Sequence, residues 1–161
     1  MPVVWRSRMT TGNDLIDQDH KYLLALFNSI ELALSKPELM RYLPTFFRQL
    51  VDYTADHFSR EEQIQLKVNY PNYLPHKRQH LEIIERLETL HARVIEELGP
   101  SPEDADQDGE VPRPTAEDPE VVRKRLESEV LALAREWVIN HVLKSDMDLL
   151  PYLKAYPRNF T

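Results

Sequence analysis

Apolar side chains recur every three or four positions through most of this chain of 161 residues. In residues 15–35 the spacings are three, four and seven, as expected for one apolar face of an α-helix. The members of this stripe are Ile16, Leu23, Phe27, Ile30 and Leu34. A second helix is predicted over residues 43–68, after a break at Lys36-Pro37. Pro44 suits its first turn, where a missing N–H costs nothing.

Two further helices continue the pattern. Residues 69–72, with the sequence NYPN, predict a turn, and a third helix is expected from near Pro75 to residue 98, before a Gly-Pro stop. A fourth is expected over residues 118–146. Four long amphipathic segments without a strand signal predict an all-α, four-helix bundle. The length suits a single domain over residues 1–161.

Residues 99–116 do not follow this periodicity. They contain four prolines, two glycines and a run of acidic residues, which predicts a linker between the third and fourth helices. Within it, Asp104–Gly109 begins like the calcium loop of an EF-hand. Thr115 occupies the twelfth position of that loop, where a bidentate Glu is needed. We therefore expect a solvated linker and not a calcium site.

The composition excludes several classes of function. The formal net charge of -7, from 20 basic and 27 acidic residues, argues against non-specific binding to nucleic acid or anionic membranes. The absence of cysteine excludes disulfides, thiolate metal sites and thiol catalysis. No apolar run suits a signal peptide or a membrane span. We therefore expect a cytoplasmic protein without membrane insertion.

Polar residues interrupt the apolar stripes of all four predicted helices. They are His20 on the first, His57 and Glu61 on the second, His76 and His80 on the third, and His141 on the fourth. Residues four apart share a helix face, so both pairs are expected to face the bundle interior. A single inward histidine usually has a local hydrogen-bond partner. Five imidazoles and a carboxylate buried together without shared partners would be too costly for a marginally stable fold.

A metal centre would use these lone pairs. Imidazole suits iron, copper, zinc and nickel, whereas carboxylates suit harder or higher-valent ions. Five histidines with carboxylates exceed what one tetrahedral zinc ion needs. They match two metal ions with bridging carboxylates, for which a pair of irons is the leading interpretation. His91 lies eleven residues beyond His80 and is expected to face the solvent.

The order and spacing of these residues resemble the hemerythrin family of the bacterial, single-domain type. That family carries a histidine on helix one, HxxxE on helix two, HxxxH on helix three and HxxxxD on helix four. The corresponding stretches here are IDQDHK, HFSRE, HKRQH and HVLKSD. The flanking NYPNY, Trp5 and Trp137 also match, so the resemblance covers residues 5 to about 153 apart from the linker.

The resemblance implies a fold and a cofactor. The fold would be an antiparallel, up-down four-helix bundle with a long insertion between helices three and four. The cofactor would be two iron ions (Fe2+/Fe3+) with an oxo or hydroxo bridge. It implies that His76, His80 and His141 bind one iron, that His20 and His57 bind the other, and that Glu61 and Asp146 bridge them. The iron with two histidines would then keep an open position for dioxygen.

Asp146 needs a local distortion to take part. Five residues correspond to roughly 500° on a regular α-helix, which places Asp146 off the face of His141. A π-bulge, or a helix end near Ser145, would bring the two side chains together.

An apolar pocket for O2 is also implied by the resemblance. Its expected members are Leu23, Phe58, Trp137, Val138 and Val142. The same residues also suit an ordinary core, and the two interpretations coincide because a dry pocket would let O2 leave unchanged.

The leading functional prediction is therefore reversible O2 binding for carriage, storage or delivery, without enzymatic activity. One alternative is an O2 or redox sensor that signals to a protein partner, which the sequence leaves unknown. Residues 99–116 are the candidate output surface for that role. Another alternative is a di-iron oxidase or peroxidase. Ferritin-like enzymes use carboxylate-rich ligation, whereas five histidines face two carboxylates here.

Overall fold

The computed structural model describes residues 2–100 and 118–161, without the side chains of Val138 and Ile139. Its α-helices are α1 (Asp14–Leu34), α2 (Leu43–Lys67), α3 (Tyr73–Leu98), α4 (Pro119–Glu136) and the short α5 (Leu150–Leu153). The described ranges contain no strand, which confirms the all-helical class. Most of the predicted linker, including Asp104–Gly109 and Thr115, lies outside the described residues.

Local sequence signals explain where the helices begin. The side chain of Asn13 accepts hydrogen bonds from the N–H groups of Leu15 and Ile16 and so caps α1. Asp118 caps α4 in the same way, accepting from the N–H of Glu120. A proline lies in the first turn of both α2 and α4. These signals account for helix starts that agree with the predicted ones within a few residues.

The predicted fourth helix is the element that changes most. Its α-helical part ends at Glu136, and a π-helical segment of nine residues, Trp137–Ser145, follows. The N–H of Asp146 donates to the carbonyl of His141, an i→i+5 hydrogen bond. A 3-10 turn over Asp146–Leu149 then leads into α5. The structure thus confirms the expected π distortion before Asp146.

Two apolar clusters form the core. The larger draws on all four long helices and includes Leu23, Phe27, Phe47, Leu87 and Leu126. The smaller consists of Ile16, Ile64, Val68, Tyr70, Leu149 and Leu153. Along each of α1 and α2, a polar residue lies between the two clusters: His20 on α1 and Glu61 on α2. Among the described helices, none has the length and hydropathy needed to cross a membrane.

The segment before α1 packs against one side of the bundle. The Asn28 side chain accepts from the N–H of Val3 at 2.8 Å and donates to its carbonyl at 2.9 Å. Met9 is buried in the larger cluster, and the indole of Trp5 lies 6.3 Å from the His20 ring. The N-terminal segment therefore covers the bundle beside His20.

Candidate metal centre

All seven predicted ligand residues are buried, and the structure brings them together. One group of potential ligand atoms comes from Glu61, His76, His80, His141 and Asp146, and a second from His20, His57 and Glu61. Within each group, these atoms lie within 4.8 Å of one another. We call them the three-histidine group and the two-histidine group. Glu61 belongs to both.

The Glu61 carboxylate faces both groups with different oxygens. Its Oε1 lies 2.9 Å from Nε2 of His76 and 3.8 Å from Nε2 of His80. Its Oε2 lies 3.5 Å from Nε2 of His57. This is the orientation of a carboxylate that bridges two cations.

Asp146 is placed in the same way. Its Oδ1 lies 3.2 Å from Nε2 of both His76 and His141, and its Oδ2 lies 3.1 Å from Nε2 of His20. The π-helical segment makes this possible, because the i→i+5 hydrogen bond sets Asp146 on the face of His141.

The hydrogen bonds of the histidine Nε2 atoms and carboxylate oxygens indicate whether the cluster is suited to bind a metal ion. Among the described residues, Nε2 of each of the five histidines has no hydrogen-bond partner outside the cluster. Both Asp146 oxygens and Glu61 Oε2 are buried without a partner as well. Buried polar atoms are normally hydrogen-bonded, so such a concentration of free ones is unusual. Nitrogen and carboxylate donors without thiolate fit iron and other imidazole-binding cations.

In three of the five histidine rings, Nδ1, the nitrogen that points away from the cluster, contacts a residue outside the cluster. Two of these rings belong to the three-histidine group. Nδ1 of His80 lies 3.0 Å from Glu62, and Nδ1 of His141 lies 3.4 Å from the Gln79 side-chain oxygen. A proton on Nδ1 leaves Nε2 with a free lone pair directed at the cluster. With that tautomer, Nε2 of His80 and His141 is free to bind a cation.

Asp19 does the same for the two-histidine group. Its Oδ2 lies 3.3 Å from Nδ1 of His57 and accepts from Arg60 Nε at 2.9 Å, while Oδ1 accepts from the Tyr53 hydroxyl at 2.7 Å. Burial raises the pKa of Asp19, but hydrogen bonds from His57, Arg60 and Tyr53 outweigh it and lower the pKa to about 2. The carboxylate therefore stays charged beside His57. His20 differs, because neither of its ring nitrogens has a hydrogen-bond partner in the described chain.

The carboxylates and histidines shift one another's pKa. Burial lowers the pKa of His76, but the Asp146 and Glu61 carboxylates outweigh it and raise the pKa to about 10. Burial lowers the pKa of His141 to about 4. For Glu61, burial and the Asp146 charge raise the pKa, but the nearby His76 and His80 lower it to about 2. Without metal, the cluster therefore holds a proton on His76 between two carboxylates.

The expected O2-pocket residues lie beside the ligands. Leu23 is fully buried, and Val142 is also buried. The Phe58 ring stacks on His80 at 3.8 Å, and Trp137 meets His20 edge-on at 5.9 Å and stacks on Phe27. The side chain of Val138 lies outside the described part of the chain.

Two surface grooves reach the three-histidine group. One of about 180 Å³ is lined by Gln79, Glu82, Ile83, Arg86, Glu136, Asn140 and His141. The other, of about 130 Å³, is lined by Tyr70, Asn72, Pro75, His76, Gln79, Ser145 and Asp148. Polar side chains therefore border this group where it approaches the surface.

Sequence reasoning did not find the outer partners of the ligands. Asp19, Glu62 and Gln79 each stand next to a predicted ligand in the chain. That adjacency was a usable signal, although two of them contact a different histidine from the one beside them. His91, expected toward solvent, lies outside the cluster and is partly exposed.

Comparison with known proteins assigns the chain to a family. The hemerythrin HHE cation-binding domain model matches residues 11–153, which include all seven clustered residues. A bacteriohemerythrin of Stenotrophomonas maltophilia is 24% identical over 158 residues, covering 98% of this chain and 86% of the relative. A bacteriohemerythrin of Clostridium acetobutylicum is 24% identical over 150 residues, covering 91% and 98%. A hemerythrin-like protein of Naegleria gruberi is 30% identical over 79 residues, covering 49% and 60%. No solved structure matches.

Proposed function

Because the chain belongs to the hemerythrin HHE cation-binding domain family, we propose that it binds dioxygen reversibly at a centre of two iron ions. Its role would be to carry, store or deliver O2. The observation that supports this most is the convergence of five partnerless histidine Nε2 atoms on two carboxylates that each face both groups.

The residues divide into two sets of ligands and two bridges. His76, His80 and His141 would hold one ion, His20 and His57 the other, and Glu61 and Asp146 both. The bound irons would supply the electrons for reversible O2 binding, the two-histidine ion would keep an open position, and an oxo or hydroxo group would complete the bridge.

The surrounding side chains would protect that open position. Trp137 and Phe27 stack against each other beside His20, and Leu23 is fully buried one turn along α1. An apolar lining excludes water and protons, and both would favour irreversible oxidation over release of O2. Asp19 would hold the His57 ring in place through Nδ1.

The competing roles remain predictions. Five histidines against two carboxylates favour O2 binding over the oxidase or peroxidase chemistry of carboxylate-rich centres, and we propose that the protein is not an enzyme. The short turn from Val68 to Asn72 supports an antiparallel α2–α3 pair within an up-down bundle, and we propose residues 99–116 as an insertion. The single domain, the cytoplasmic location and the absence of nucleic-acid binding also stay predictions.

The decisive experiment follows the colour of iron-reconstituted protein. Anaerobically reduced protein should be nearly colourless, O2 should produce a visible absorption band, and removal of O2 should abolish the band through repeated cycles. Zinc-loaded protein is the matched control and should stay colourless throughout, because zinc has no redox change. A single irreversible oxidation of the iron protein would contradict carriage and favour the sensor or oxidase interpretation.

A further inference from the structure

Gln65 is a buried polar residue that the proposed function does not use. It lies near the end of α2, one turn beyond Glu61, and its side chain is fully buried. Its Nε2 donates to Oε1 of Glu61 at 2.7 Å. Its backbone carbonyl accepts from the N–H of Tyr70 in the turn that follows, which fixes the start of the side chain.

Folding alone does not explain an amide at this position. Oε1 of Gln65 is buried without a hydrogen-bond partner in the described part of the chain. An unsatisfied buried acceptor is unfavourable, and an apolar side chain of similar shape would avoid that cost. The hydrogen bond that the amide donates to the buried Glu61 carboxylate is therefore what distinguishes it from an apolar side chain.

The hydrogen bond acts on one oxygen of a bridging carboxylate. Oε1 of Glu61 faces His76 in the three-histidine group, and Oε2 faces His57 in the two-histidine group. The terminal torsion of a Glu side chain is broad when nothing holds it. A donor on Oε1 fixes that torsion, so that the two oxygens keep facing opposite groups. It also draws electron density from Oε1 and not from Oε2.

We propose that Gln65 is a positioning residue that orients the bridging carboxylate of Glu61 and makes its two oxygens unequal donors to the two metal ions. This inference rests on the two-ion centre of the proposed function but not on O2 binding. Hydrogen-bonded partners of metal ligands commonly change metal affinity without contacting the metal.

The test compares Gln65→Met with Thr54→Val. Methionine fills a similar volume but cannot donate a hydrogen bond. Thr54 is buried on the same helix and donates to the Leu50 carbonyl without contacting Glu61, so its variant controls for loss of a buried hydrogen bond. Each protein is titrated with Co2+ against a competing chelator, and the visible cobalt spectrum and the urea unfolding midpoint of the metal-free protein are measured.

We expect Gln65→Met to bind one of two cobalt ions about 10–100-fold more weakly and to change the cobalt spectrum. Its metal-free unfolding midpoint should fall modestly, because Oε1 of Glu61 loses a hydrogen-bond donor. Thr54→Val should keep the wild-type cobalt affinity and spectrum. Unchanged affinity and spectrum in Gln65→Met would overturn the proposal, as would a loss confined to metal-free stability.

A measurement on the wild type covers the case in which Gln65→Met does not fold. Zinc binding should shift the NMR signals of the Gln65 side-chain amide and slow its hydrogen exchange, and unmoved signals would overturn the proposal. Fewer than two cobalt ions in the wild type would overturn both this inference and the proposed centre. If the protein binds two cobalt ions but its iron form does not bind O2 reversibly, only the proposed O2 carriage is overturned.

Discussion

The two histidine groups of the cluster are built differently. In the three-histidine group, His80 and His141 contact Glu62 and Gln79 through Nδ1, and two surface grooves reach His141 and His76. In the two-histidine group, His57 contacts Asp19 through Nδ1, but neither ring nitrogen of His20 has a hydrogen-bond partner in the described chain. Under the proposed function, this difference would let one cluster combine two tasks: one side would hold a cation through hydrogen-bonded rings, and the side around His20 would be apolar and leave room for O2.

Aromatic side chains surround His20 in the two-histidine group. Trp5 and Trp137 lie 6.3 and 5.9 Å from the His20 ring, and Phe27 stacks on Trp137. Lys21 lies over the Trp5 ring at 5.2 Å and shields its outer side. Packing therefore positions His20, whereas hydrogen bonds position most of the other ligand rings.

Replacing Glu61 with Ala should affect both groups, because this residue belongs to both. We expect loss of at least one of two irons, measured by elemental analysis after iron reconstitution. Asp56→Ala, an exposed carboxylate on the same helix, is the control and should keep both ions. Two irons in Glu61→Ala would show that Glu61 is not a required bridge.

Asp19→Asn and Glu62→Gln should affect different groups, because each changes a residue that contacts a histidine Nδ1 of one group. The pKa of Asp19 is held at about 2, so the substitution removes a charge from beside His57. We expect about 10–100-fold weaker binding of the two-histidine ion. Glu62→Gln should instead weaken the binding of the ion held by His80. Competitive cobalt titration measures the affinity of each ion in both variants. If both variants weakened the same ion equally, the prediction that Asp19 and Glu62 act on different ions would be wrong.

Leu23→Asn should admit water to the apolar pocket beside His20. Both irons should remain, because Leu23 is not a ligand, but irreversible oxidation should become on the order of tenfold faster, a barrier lower by about 1.4 kcal/mol. Repeated oxygenation cycles monitored by absorbance measure the rate. Ile30→Asn, equally buried two turns along α1, is the control for a polar residue in the core. Equal rates in the two variants would count against a specific water barrier at Leu23.

Metal uptake should release a proton from the three-histidine group. The pKa of His76 rises from 6.5 to about 10 in the folded protein, so metal-free protein holds this proton at pH 8 and a cation must displace it. We expect release of about one proton, and metal affinity that rises with pH up to about 10. The stabilisation of metal-free protein by protonated His76 is complete below pH 6.5 and is lost as the pH rises to about 10.

An indicator dye in weak buffer measures this release when zinc is added. His76→Gln is the matched variant, and the proton assigned to His76 should disappear with it. Release that is unchanged in the variant would place the proton on another residue.

Much of this arrangement was accessible from the sequence. Periodicity predicted the four long helices because each buries one continuous apolar stripe, and the polar interruptions of those stripes predicted most of the cluster. The awkward spacing of His141 and Asp146 predicted a helical distortion, and the i→i+5 hydrogen bond confirms it.

The remainder depends on tertiary packing. Gln79 stands beside His80 in the chain, yet its amide meets His141. The N-terminal segment has no helical periodicity, so nothing local indicated that Trp5 would cover His20. Gln65 could have been found, because it lies four residues after Glu61 and hence on the same face of α2.

The π-helical segment makes chain length, and not only residue identity, part of the centre. At most positions of a helix, a substitution alters one side chain and leaves the rest in register. In Trp137–Ser145, adding one residue between His141 and Asp146 would rotate Asp146 by roughly 100° away from the face of His141. A single-codon insertion here would therefore act as a loss of a ligand even though all seven predicted ligand residues would still be encoded. Sequence variants of this protein should accordingly be compared for the length of this segment before they are compared for its composition.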